Sequence, residues 1–307
     1  MSADLNKAVC ILGVPLGYGA SMAGVDMGPA ALRVARLNQR IARLGYLVQD
    51  LGDLRLERPR MFPEVDDKLK YVREISHACE QLAKEVEAIL EANELPLILG
   101  GDHSIAIGSF AGVVSHYKKQ DHKVGLIWFD AHADINTPGT TPSGNIHGMP
   151  LAVLLGYGAP ELTNVGGFAP KLDPRLCAHV GARDIDPGEK EMIRKLGIRF
   201  FTMREIDERG MSACMDEAIA IASRGSGGYA VTFDIDVLDP GDAPGSGTLV
   251  RGGLTYREAH HAMEKIAEAG GMRSLEIVEI NTALDVNNKT AELGVELILS
   301  ALGKTIL

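Results

Sequence analysis

The stretch Val124-Gly-Leu-Ile-Trp-Phe-Asp-Ala-His-Ala-Asp-Ile-Asn-Thr-Pro138 opens as an apolar strand and ends on three side chains of the ligand type. Asp130, His132 and Asp134 occupy every second position. Alternate side chains of an extended chain leave on the same face, about 6.6 Å apart. The three groups therefore emerge together as the strand runs out. The carboxyl ends of strands are where open α/β sheets build their sites. Thr137-Pro138 then stops regular structure.

Two other stretches repeat the design. Gly228-Tyr-Ala-Val-Thr-Phe-Asp-Ile-Asp-Val-Leu-Asp-Pro240 is an apolar strand ending in Asp234 and Asp236. Leu95-Pro-Leu-Ile-Leu-Gly-Gly-Asp-His-Ser104 ends in two glycines and then presents Asp102 and His103. An isolated Asp after a strand is most often a turn or cap residue, and a lone His is most often a satisfied surface group. Coincidence at three strand ends sets these apart and points to one shared metal site.

The donors are two imidazoles (His103, His132) and four carboxylates (Asp130, Asp134, Asp234, Asp236). The set has no sulfur, unlike most closed structural zinc sites. Oxygen with some imidazole suits Mn²⁺ and related divalent ions. Six donors exceed what one ion needs alongside water, so some carboxylates should bridge two ions. Two divalent cations would also balance the four carboxylate charges. Such ions acidify water near neutral pH, which is hydrolytic chemistry.

Strands and helices alternate along the chain. Strands are expected at Ala8–Leu16, Gly45–Asp50, Leu95–Gly101, Val124–Phe129, Cys177–Ala182, Ile198–Thr202, Tyr229–Asp234 and Arg273–Ile280. Helices are expected at Pro29–Arg43, Asp66–Ala92, Ser104–Tyr117, Met149–Leu155, Met203–Arg224, Thr255–Ala269 and Thr290–Leu302, with a short one opening at Pro187. Thr255 and Glu258 form a capping-box pair. Arg55–Pro63 reads as a charged loop. No repeat, linker or low-complexity segment interrupts the pattern. It predicts an α/β fold: one domain over residues 1–307, with a mostly parallel central sheet and helices on both faces. A closed eight-stranded barrel is the alternative, disfavoured by irregular alternation and long loops.

With 307 residues and 46% apolar composition the chain can bury a large core. Its net charge of -10 argues against broad binding to nucleic acid or anionic membrane and favours a cationic ligand. Cys10, Cys79, Cys177 and Cys214 match no zinc or redox spacing. They read as buried free thiols, which suits a cytoplasmic location. Met1–Lys7 does not read as a secretory signal, and no apolar run reaches membrane-spanning length.

Gly100-Gly-Asp-His-Ser104, Asp130-Ala-His-Ala-Asp134, Ser143-Gly-Asn-Ile-His-Gly148 and Phe233-Asp-Ile-Asp-Val-Leu-Asp-Pro240 together resemble the signatures of the arginase/agmatinase (ureohydrolase) family. The similarity runs from the first strand to Glu279-Ile-Asn281. Gly181–Glu189 and Gly252–Glu258 resemble its arginine-cleaving branch. The resemblance implies a three-layer sandwich and two Mn²⁺ per chain, with Co²⁺ or Ni²⁺ as alternatives. It implies hydrolysis of L-arginine to L-ornithine and urea by a metal-bridging hydroxide, a step of arginine metabolism and the urea cycle.

Position by position, the resemblance places one ion on His103, Asp130, Asp134 and Asp234. It places the other on Asp130, His132, Asp234 and Asp236. Asp134 would hydrogen-bond the hydroxide, and His147 would shuttle protons. Glu279 would receive the guanidinium, with Thr248 lining that pocket. Asn136, Thr141, Ser143 and Asn145 fall where an α-carboxylate is recognised. Asp184, Asp186 and Glu189 fall where the α-amino end approaches, although acids there also suit a helix N-terminus. A homo-oligomer, trimer or hexamer, is implied as well. Val237, Thr282 and Pro142 depart from common family choices. The rival readings are an agmatinase, a guanidinobutyrase or another ureohydrolase; a non-catalytic metal-binding protein; and, more weakly, a dinuclear phosphoesterase. The Ser143–His147 loop argues against the first group, and intact ligands beside His147 and Glu279 argue against the second. The third lacks basic phosphate clamps.

Overall fold

Along the central strand, Leu126 and Trp128 pack into one apolar core while Ile127 and Phe129 pack into another. Only a strand covered on both faces needs apolar residues at consecutive positions. The computed structural model, which describes residues 7–57 and 66–305, shows that arrangement. Its eight strands are β1 (Ala8–Val14), β2 (Leu47–Asp53), β3 (Leu95–Gly100), β4 (Gly125–Phe129), β5 (Cys177–Ala182), β6 (Arg199–Thr202), β7 (Tyr229–Asp234) and β8 (Met272–Val278). They form one sheet in the order β2-β1-β3-β8-β7-β4-β5-β6, parallel throughout. The sheet is open, with β2 and β6 at its edges, so the barrel alternative is excluded.

The helices are α1 (Gly28–Val34), α2 (Leu37–Ala42), α3 (Val72–Glu91), α4 (Ala106–Lys118), α5 (Pro150–Leu154), α6 (Pro160–Thr163), α7 (Pro187–Leu196), α8 (Met203–Arg209), α9 (Met211–Ala222), α10 (Tyr256–Ala269) and α11 (Lys289–Ala301). Helices α1, α2, α9, α10 and α11 cover one face through Leu32, Ile41, Met215, Ile266 and Ile298. Helices α3, α4 and α5 cover the other through Leu82, Phe110 and Val153. The Thr255–Glu258 capping box opens α10 as expected. All four cysteines are buried free thiols. No helix among the described residues is long and apolar enough to cross a membrane.

Three expected helices differ in extent. Arg36 adopts a left-handed backbone (φ 63°) and splits the first into α1 and α2. Gly210 (φ 82°) separates α8 from α9. The helix expected from Asp66 begins only at Val72, because Tyr71 is also left-handed (φ 55°). Residues 66–71 instead turn back, with an isolated bridge between Asp66 and Leu69, and lie against residues 141–145. The charged loop expected at Arg55–Pro63 lies largely outside the described residues, as does most of Met1–Lys7.

The exit of β3 is crowded. Gly101 N–H donates to Val14 O at 2.9 Å, and Asp102 N–H donates to Leu16 O at 2.8 Å. A Cβ at Gly101 would sit 1.8 Å from the Leu16 carbonyl oxygen. Gly101→Ala should therefore destabilise the chain by roughly 1–3 kcal/mol through overpacking. Thermal unfolding should show a clear fall in melting temperature, and an unchanged midpoint would refute the close approach.

Candidate metal centre

The chain passes from β3 to β4 across a gap later filled by β8 and β7. That gap is a topological switch point, where the loops at the carboxyl ends diverge and leave room for a site. The ends of β3, β8, β7 and β4 supply His103, Glu279, Asp234 with Asp236, and Asp130 with His132 and Asp134.

His103 is buried. Its ring stacks on Trp128 with centroids 4.3 Å apart, and Nε2 is hydrogen-bonded to Thr232 Oγ1 at 2.9 Å. Nδ1 lies 3.0 Å from an Asp134 carboxylate oxygen, 3.1 Å from Asp234 and 3.3 Å from Asp130. None of these approaches has hydrogen-bond geometry, so Nδ1 is a buried polar atom without a directed partner. His132 Nδ1 lies 3.1 Å from Asp236 and 3.4 Å from Asp130. The ligand atoms of His103, Asp130 and Asp134 lie within 4.8 Å of one another, and so do those of Asp130, His132 and Asp236. Asp130 belongs to both groups. An undirected nitrogen among converging carboxylates is the arrangement a cation would complete.

The carboxylates are held from behind. Trp128 Nε1 and the His132 N–H donate to Asp130 at 3.0 and 2.7 Å. The Asp236 N–H donates to Asp234 at 2.9 Å. Asp236 accepts from the Ala131 N–H at 3.2 Å and from Thr248 Oγ1 at 2.9 Å. Asp134 and Glu279 take left-handed backbone angles (φ 52° and 63°), uncommon for non-glycine residues and frequent at functional sites.

Electrostatics reflect the crowding. Burial, and then Asp130, pushes the Asp134 carboxyl up to about 7. Burial and Asp236 drive Asp234 well above its ordinary value. Asp130 is held well below the usual range, since His103 and His132 outweigh the opposing effect of burial. Burial alone would lower His147, but Glu279 raises it to about 9. His147 Nδ1 lies 3.0 Å from Glu279 Oε1, which also accepts the His103 N–H at 2.8 Å. Among the described residues Glu279 Oε2 has no hydrogen bond, and none of the four aspartates is ion-paired to Lys or Arg.

A cavity of about 290 Å³ is lined by His132, Asp134 and Asp234 of this cluster together with Asn136, Thr141, Ser143 and Asn145. Asp184, Asp186 and Glu189 complete its wall. A smaller cavity of about 50 Å³ contains Glu279 and shares Asn145, His147 and Thr248 with the first. In the 136–145 loop, internal contacts occupy the side-chain oxygens of Asn136, Thr141 and Ser143 as acceptors. Thr141 Oγ1 accepts the Gly144 N–H at 2.9 Å, and Ser143 Oγ accepts the Asn145 N–H at 3.2 Å. Asn136 Oδ1 accepts from Thr140 at 2.9 Å while its Nδ2 donates to Asp186 at 2.9 Å. The hydroxyl protons of Thr141 and Ser143 remain available to a ligand. Both Glu189 oxygens accept backbone N–H groups, from Asp186 at 2.9 Å and Ile135 at 3.1 Å. The residue thus caps α7 and ties it to the β4 loop.

Two further residues play parts that sequence reasoning did not assign. Asp102 joins neither ligand group; it accepts N–H bonds from Gly19 at 2.8 Å and Ser104 at 3.0 Å, holding residues 17–24 over the site. The Arg183 guanidinium donates to the carbonyls of Asp236, Val237, Leu238 and Val250 at 2.7–3.2 Å, clamping the loop after β7. Its only local signal was its place beside Asp184 in the Gly181–Glu189 stretch.

Comparison with known proteins agrees with this geometry. A model of the arginase family matches residues 7–303. The chain belongs to the arginase family. It is 47% identical over 302 residues to an arginase of Bacillus caldovelox, covering 98% of this chain and 100% of that one. It is 48% identical over 303 residues to an arginase of Brevibacillus brevis, covering 99% and 100%. The solved structure of the Bacillus caldovelox arginase superimposes with a TM-score of 0.93 at 46% identity, covering 98% of this chain and 99% of that one. Membership makes the chain a hydrolase acting on a guanidino carbon–nitrogen bond, and metal dependence is a property of the family.

Proposed function

We propose that the chain hydrolyses L-arginine to L-ornithine and urea with two Mn²⁺ ions held by His103, Asp130, His132, Asp134, Asp234 and Asp236. The observation that carries this reading is Asp130, a fully buried carboxylate common to two ligand groups. The donor chemistry fits manganese: oxygen and imidazole, no sulfur. Asp234, 3.1 Å from His103 Nδ1, is the second bridging candidate. When bound, such a pair supplies Lewis acidity and lowers the pKa of water toward neutrality.

The remaining residues bind, orient and move protons. A guanidinium is planar, permanently charged and purely a donor, so carboxylates are its natural partners. Glu279 meets it through the free Oε2. Thr248 holds Asp236 and lines both cavities, fixing the wall beside the guanidinium. Asp134 accepts a hydrogen bond at the reacting centre. His147, paired with Glu279 at 3.0 Å, is the group that delivers a proton to the departing amine. At the far end the α-carboxylate meets Asn136, Thr141, Ser143 and Asn145. The ammonium faces Asp184 and Asp186, with Glu189 holding that wall.

His147→Ala should retain its metal and lose about 10²–10⁴-fold in kcat, the usual size of general acid–base assistance. Unchanged turnover across the pH range would remove His147 from the reaction.

Arginine and agmatine share the guanidinium and differ at the α-carboxylate. A site whose donors expect that group can reject the analogue by up to about 10⁴–10⁵-fold. Wild-type kcat/KM should favour arginine. The Ser143→Ala, Asn145→Ala double variant should lose efficiency on arginine far more than on agmatine. A wild-type preference for agmatine, or equal losses on both substrates, would give the chain to another ureohydrolase activity.

A further inference from the structure

We propose that Lys70 is a specificity-determining positioning residue, whose ammonium fixes the Asn145 amide so that it meets a substrate α-carboxylate as a donor. This rests on the reading that the 136–145 loop receives that carboxylate.

Lys70 Nζ lies 3.2 Å from Asn145 Oδ1. An ammonium has three donors and no acceptor. The amide oxygen must therefore face Lys70, and Nδ2 is turned the other way, where it donates to Ser21 Oγ at 2.7 Å. Ser21 and Asn145 both line the smaller cavity, and Asn145 lines the larger one too. Nδ2 keeps a second hydrogen for a ligand. Without Lys70 nothing on that side distinguishes the two amide orientations. A flipped amide would present its oxygen to the carboxylate, exchanging an attraction for a repulsion.

Charge works in the same direction. The larger cavity is lined by Asp134, Asp184, Asp186, Glu189 and Asp234, with no Lys or Arg among its described lining residues. A substrate carboxylate entering it meets an acidic field. The cations at its carboxylate-reading end stand behind the loop: Lys70 on Asn145, and Lys68, whose Nζ donates to Thr141 O at 2.9 Å. Both belong to the 66–71 turn. That turn is seated by backbone as well, since the Lys70 N–H donates to Gly144 O at 3.1 Å. Gly144 has φ 75°, and a Cβ there would lie 1.9 Å from Asp67 O. Losing the Lys70 side chain therefore leaves the turn in place and removes only the ammonium.

The test is steady-state kinetics of the Mn²⁺-loaded wild type, Lys70→Met and Lys70→Arg on L-arginine and agmatine, with thermal melting of each. Hydrogen bonds to charged groups are worth about 1.5–3 kcal/mol, so Lys70→Met should lower the arginine-to-agmatine ratio of kcat/KM by about 10–100-fold. The loss should appear mainly as a raised KM for arginine, at an unchanged melting temperature. Lys70→Arg, which keeps the charge and the donor-only character, should recover most of the ratio. An unchanged ratio in Lys70→Met, equal losses on both substrates, or no recovery in Lys70→Arg overturns the proposal. A wild type that prefers agmatine overturns the loop reading itself. A wild type that prefers arginine beside an unchanged Lys70→Met overturns the role of Lys70 alone.

Discussion

Four buried carboxylates converging on two imidazoles are the constraint on which the rest of this structure depends. Each pair of like charges about 4 Å apart costs on the order of 4 kcal/mol at the effective dielectric of a protein surface. Burial makes retention of all four charges harder still. Without cations the cluster can only redistribute protons, as the raised carboxyls of Asp134 and Asp234 and the depressed one of Asp130 show. Bound divalent ions remove that conflict. The arrangement is held in advance by Trp128, Ala131, Thr248 and the backbone N–H groups of the ligands' own loops.

The parallel sheet is what brings the carboxylates together. Parallel strands end on the same side, so ligands far apart in sequence meet once β8 and β7 fill the gap between β3 and β4. The loops then divide the cavity by chemistry. One end is carboxylate and imidazole, suited to a cation. The other is a loop whose side-chain acceptors are occupied, by the loop itself or, at Asn145, by Lys70, and which is suited to an anion. A substrate with a guanidinium at one end and an α-carboxylate at the other matches that polarity, and the identity to known arginases agrees with it.

Much of this was legible in the sequence because the informative signals are local. Alternation of Asp130, His132 and Asp134 after an apolar run places them on one strand end whatever the rest of the chain does. The predominantly apolar runs of β3, β4 and β7 announce a sheet covered on both faces. Helix ends were read less well. Arg36, Tyr71 and Gly210 interrupt helical periodicity through backbone angles that the apolar pattern does not encode. Asp66–Lys70 continued the amphipathic pattern of α3, yet they form a turn because they pack on residues 141–145. Arg183, Asp102 and Lys70 act on segments that are distant in sequence or that only the fold brings near, and no spacing rule reports such contacts.

In the proposed centre one carboxylate, Asp130, serves two ions. Electron paramagnetic resonance of the metal-depleted chain titrated with Mn²⁺ tests it most directly. Binding should end near two equivalents per chain, with a spin-coupled spectrum from ions sharing a bridge. Asp130→Asn should abolish that coupling. A titration that ends at one equivalent, or two equivalents that give only the hyperfine pattern of isolated ions, would contradict it.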